Sequence, residues 1–63
     1  MEDYTVWYGF HLLDGRDVEI VARLIANRYT FYTNRKDIIF VCSEEAVYVS
    51  TILKEHRIGY ELL

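Results

Sequence analysis

Residues 4–13, Tyr-Thr-Val-Trp-Tyr-Gly-Phe-His-Leu-Leu, contain no Asp, Glu, Lys or Arg. The even positions Tyr4, Val6, Tyr8, Phe10 and Leu12 are apolar throughout, while the odd positions Thr5, Trp7, Gly9, His11 and Leu13 are mixed. A strand buried on one face alternates cleanly between apolar and polar residues, and this stretch does not. The pattern predicts a central strand covered on both faces, with Val6, Tyr8 and Phe10 in the core. Asp14-Gly15 then turns the chain. Over residues 17–27, Val18, Val21, Ala22 and Ile25 follow the i, i+3, i+4, i+7 spacing of an amphipathic helix, and Leu24 widens the stripe. Arg16, Glu19, Arg23 and Asn27 form the opposite, solvated side. Asp14 is the expected N-cap, with Asp17 in the reciprocal capping position.

Residues 29–33, Tyr-Thr-Phe-Tyr-Thr, are all aromatic or β-branched, a composition that favours a strand. The polar break at residues 34–37 lacks an Asn-Gly pair, so it predicts a four-residue type I turn. Residues 38–42, Ile-Ile-Phe-Val-Cys, are a continuous apolar run too short for a buried helix and read as a second central strand. Ser43 is the expected N-cap of a second helix, with Glu44 and Glu45 favouring its start. That helix is expected over residues 44–57, with an apolar stripe of Ala46, Val49, Ile52 and Leu53. Lys54, His56 and Arg57 suit its C-terminal end, and Gly59 is the expected stop. Residues 60–63 are left as a last short strand.

The order is strand, helix, strand, strand, helix, strand. It fits an α+β, ferredoxin-like βαββαβ plait, with both helices on one face of a four-stranded antiparallel sheet of order 4-1-3-2. Right-handed crossovers place the first and third strands in the centre. Those are the two strands that read as apolar on both faces, so pattern and topology agree.

The chain of 63 residues is expected to form a single domain. A domain of this size buries only about 60% of its unfolded surface and gains from a staple or a partner. Cys42 is the only cysteine, which excludes an intrachain disulfide, and no Cys/His spacing suggests zinc. The net charge is −3 and the pI is near 5.2, the wrong sign for nucleic-acid binding through bulk charge. There is no apolar run of membrane-spanning length, and Met1-Glu2-Asp3 is unlike a targeting segment, so a cytoplasmic protein with no membrane contact is expected. Gly9, Gly15 and Gly59 are isolated and form no phosphate loop. His11 reads as a strand-end residue and His56 as a surface residue, and nothing places them in one site. Cys42 reads as an inert, half-buried thiol. The expectation is therefore a non-enzyme without cofactor or metal.

In the plait, two helices cover one side of the sheet. The other side would present Trp7, one set from residues 29–33, and either Ile39 and Val41 or Ile38 and Phe40. A large open apolar face marks an interaction site. Residues 29–33, at a sheet edge, carry no proline or charge to deter pairing with another chain. The expected function is that of a small interaction or regulatory module acting through the helix-free face or an edge strand. Its candidate residues are Trp7, His11, Tyr29, Phe31, Tyr32, Ile39 and Val41, and its expected partner is a second copy of itself or an unidentified protein. A small acidic protein that binds and blocks a larger one, in the manner of phage inhibitors, is an alternative.

A second alternative rests on residues 36–43. Lys36, Phe40 and Val41, together with Val6-Trp7 on the first strand, match parts of the two strand motifs of RNA-recognition motifs. The chain resembles that family in topology, while Asp37, Ile38, Ile39 and Ser43 stand where the family has glycine, an aromatic, a small residue and an aromatic. The resemblance implies single-stranded nucleic-acid binding through Trp7 and Phe40, with Arg28, Arg35 and Lys36 supplying positive charge.

Overall fold

The computed structural model describes residues 6–63, with only the backbone of Asn34 and Arg35. The elements are β1 (Trp7–Leu12), α1 (Asp17–Ile25), β2 (Phe31–Arg35), β3 (Ile38–Cys42), a 3-10 turn at Ser43–Glu45, α2 (Ala46–Glu55) and β4 (Tyr60–Leu62). All strand pairs are antiparallel, in the order β2-β3-β1-β4. Read from the other edge this is 4-1-3-2, with β1 and β3 central. Val21 and Ile25 of α1 and Ala46, Val49 and Leu53 of α2 join Phe10, Leu12, Ile39, Val41 and Ile58 in one core. Both helices therefore lie on one face, and the fold is the ferredoxin-like α+β plait.

Antiparallel partners share a face, so the register decides which residues are covered. Phe10 lies opposite Ile39 and Tyr8 opposite Val41, while Gly9 faces Phe40 and Trp7 faces Cys42. Phe10, Leu12, Ile39 and Val41 accordingly point at the helices. Trp7, Gly9, His11, Ile38, Phe40 and Cys42 point away from them.

Several sequence expectations are corrected. Tyr4 and Thr5 of the expected first strand lie outside the described residues. Val6 and Tyr8 are not core residues, being 57% and 46% exposed. They are on the even-numbered side as expected, but β4 pairs only with Phe10–Leu12, so Tyr8 opens onto the gap between α2 and that short edge strand. The second strand is shifted two residues toward the C-terminus. It absorbs Asn34 and Arg35, closes the hairpin over Lys36-Asp37, and is irregular between Tyr32 and Arg35.

The caps also differ. Neither helix has a side-chain N-cap. Asp14 instead accepts hydrogen bonds from the Arg16 amide at 3.0 Å, from its Nε at 3.1 Å and from its Nη2 at 2.9 Å. Ser43 lies inside the 3-10 turn rather than capping α2. At the end of α2, Arg57 and not Gly59 takes the left-handed conformation, with φ of 57°. The Ile58 amide donates to the Leu53 carbonyl at 2.9 Å and the Arg57 amide to the Lys54 carbonyl at 3.1 Å, the pattern of a Schellman cap. At Gly59 a Cβ would lie 2.9 Å from Cδ1 of the exposed Leu13 side chain, which would have to shift.

Candidate functional site

The helix-free face divides into two halves. At one end, β1, β2 and β3 place Trp7, Tyr32 and Phe40 side by side. The Tyr32 and Phe40 rings stack 4.9 Å apart at 15°, and Trp7 meets Tyr32 edge-on at 4.8 Å. The stack follows from the register, because Tyr32 and Phe40 are direct cross-strand partners. Gly9 makes room for the layer. A Cβ there would come within 2.9 Å of Phe40 Cε1 and 2.8 Å of Leu63 Cδ1, so the Phe40 ring and the Leu63 side chain close over the glycine. Tyr32 remains 40% exposed and Leu63 70%.

The other half is polar. His11 Nε2 lies 2.7 Å from Asp37 Oδ2, and its Nδ1 lies 3.7 Å from Glu61 Oε1. The imidazole thus links β4 to the β2–β3 turn at the rim of the sheet. Among the described residues, no three His, Cys, Asp or Glu side chains come together as metal ligands. Cys42 is a free, half-buried thiol near Trp7 in the ladder, with Sγ 4.0 Å from Glu44 Oε1.

Of the seven candidate interaction residues, Trp7, His11 and Tyr32 share this face. Ile39 and Val41 do not, because their partners Phe10 and Tyr8 set them on the helix side, where both are fully buried. Phe31 lies opposite Val41 and packs on the core. Tyr29 precedes β2 and stacks on Tyr48 of α2, with ring centres 6.3 Å apart. The residues that sequence reasoning left off the interaction set are Phe40, Ile38 and Leu63. The hairpin register would have exposed the first two, and nothing in the local pattern points to Leu63.

The nucleic-acid candidates do not form one patch. Trp7 and Phe40 are on the helix-free face, but Tyr32 stands against both, stacked on Phe40 and edge-on to Trp7, so each ring already has an aromatic partner. Arg28 lies in the turn after α1, before β2, and Lys36 lies in the turn after β2, so about 17 Å of strand separates the two positions. The Arg35 side chain is outside the described set. Lys36 adjoins Asp37 of the polar half rather than the aromatic half. No described helix is long and apolar enough to cross a membrane. Comparison with family models, with curated proteins and with solved structures gives no match.

Proposed function

We propose that this protein is a small non-catalytic module that acts by association, forming a homodimer through the aromatic half of its helix-free face. One observation carries the reading. Trp7, Tyr32, Phe40 and Leu63 form an apolar patch on a sheet face with no described layer over it, while the His11–Asp37–Glu61 cluster sits at the opposite end of that face. Two such patches related by a two-fold axis are self-complementary. A face built from four short strands is small against the roughly 800 Å² per partner of a standard interface, so the association is weak. Edge pairing through β2 is less favoured. The strand is irregular between Tyr32 and Arg35, and irregularity blunts an edge.

Sedimentation equilibrium from micromolar to millimolar protein tests the reading. A reversible monomer–dimer equilibrium is expected, and Tyr32→Glu, a charge placed on an exposed ring of the patch, abolishes it without loss of fold by circular dichroism. A monomer at every concentration removes the homodimer. Salt-sensitive binding of short single-stranded RNA or DNA would instead favour the nucleic-acid reading.

A further inference from the structure

We propose that the helix-covered side carries a second, separate site: a groove between α2 and β4 that takes a small carboxylic acid with an aliphatic tail. The groove has a volume of about 380 Å³, with Phe10, Tyr60 and Leu62 on its floor and Val47, Ser50 and Lys54 along its wall. It exists because α2 turns Ala46, Val49 and Leu53 toward the core, leaving Val47, Ser50 and Lys54 on a flank that overlooks β4. That edge strand is only three residues long, and Leu62 and Val47 are both exposed.

The size selects a small molecule. The volume falls in the lower part of the range of about 300–1,000 Å³ for small-ligand clefts. Charge selects the head group. Among the described residues Lys54 is the only charged side chain lining the groove, and no described Asp or Glu lines it, although the chain as a whole carries −3. Among the described residues Lys54 has no ion-pair partner. Nor is its ammonium needed to close the helix, because the Ile52, Leu53 and Lys54 carbonyls accept from the His56, Ile58 and Arg57 amides. Val47 and Lys54 are seven positions apart on α2, about 10 Å along its axis, so an aliphatic tail can lie along the apolar wall with its carboxylate at Lys54. The Ser50 hydroxyl already donates to the Val47 carbonyl at 2.8 Å, and the Tyr8, Ser43 and Tyr60 hydroxyls on the lining are neutral, so Lys54 is the cationic donor for the head group among the described residues.

The test is an amide chemical-shift titration of the labelled full chain with decanoate, 1-decanol, butyrate and a short apolar peptide with a free C-terminus. Decanoate below its micelle concentration is expected to shift Val47, Ser50, Lys54 and Leu62 and to bind more tightly than 1-decanol or butyrate. Lys54→Glu should weaken decanoate about fivefold and leave 1-decanol unchanged. Val47→Trp, which fills the groove, should abolish both. Equal affinity for decanoate and 1-decanol, an unchanged affinity in Lys54→Glu, no shifts at millimolar ligand, or shifts centred on Trp7 and Tyr32 would each overturn the proposal. So would tighter binding of the peptide, which would give the groove to a protein chain end. The groove and the dimer patch lie on opposite sides of the sheet, so one can fail without the other.

Discussion

The two faces of the sheet are built from alternate residues of the same strands, yet they are stabilised in different ways. Toward the helices, Phe10, Leu12, Ile39 and Val41 are fully buried against α1 and α2. On the other side, no described element lies over Gly9 and Ile38, and both are nonetheless buried. There the cover comes from the strands themselves: rings in contact across the ladder, Leu63 folded over Gly9, and Asp37 drawn to His11. A run such as β3, apolar on both faces, therefore need not lie between two layers. It can have a core on one side and a self-packed aromatic sheet surface on the other, and the apolar area left over is a compact patch rather than a whole face.

The sharpest way to break this comparison is to truncate one phenylalanine on each face. Phe10→Ala should cost about 3–5 kcal/mol, since it opens a cavity in the helix-covered core. A chain of this length has roughly 3–9 kcal/mol of net stability, so that variant should lose a third or more of it, seen as a large fall in denaturant midpoint, and unfold outright if the native chain lies at the low end of that range. Phe40→Ala loses a ring stack at a half-open surface and should cost about 1–2 kcal/mol. Equal costs at the two positions would mean that the outer face is a second core.

Smaller effects sharpen the picture of how the covered face is framed. Arg57 holds a left-handed conformation at the end of α2, which costs a residue with a side chain about 1–2 kcal/mol. Arg57→Gly relieves it at the expense of some chain entropy, so a net gain of about 0.5–1 kcal/mol is expected in thermal or chemical unfolding. The smallest effect concerns Asp14. Hydrogen bonds from the Arg16 side chain and then the Arg16 amide hold its carboxyl below the usual carboxylate range. Its contribution to stability is therefore present above the ordinary aspartate range and is lost as pH falls through the depressed value. Asp14→Asn should remove that increment and leave a slightly flatter acid limb in the stability profile.

Much of this architecture is legible in the sequence, for identifiable reasons. The helical spacing of Val18, Val21 and Ile25 and of Ala46, Val49 and Leu53 locates both helices, although Val47 and Tyr48 flank the second stripe and are exposed. The two-sided apolar character of residues 4–13 and 38–42 identifies the central strands. The same property hides the orientation of β3: with no polar residue to mark a face, Ile39 and Val41 cannot be told from Ile38 and Phe40 until the pairing with β1 is known. Asn34 and Arg35 have turn-like chemistry, but the pairing of Arg35 with Ile38 draws them into the ladder. Periodicity gave the correct side for Tyr8, but not that β4 stops short of it. The site was legible only in part for the same reason, since Trp7 and Tyr32 meet through register rather than through spacing.

Trp7 is the only tryptophan and lies within the proposed dimer patch, so its emission reports on the association directly. The measurement is acrylamide quenching of Trp7 fluorescence across a dilution series from millimolar to micromolar protein, with Tyr32→Glu in parallel. Emission at high concentration is expected to be blue-shifted and protected, and both features are expected to be lost on dilution and to be absent from Tyr32→Glu at every concentration. Quenching and emission that do not change with concentration in the native chain would contradict association through this face.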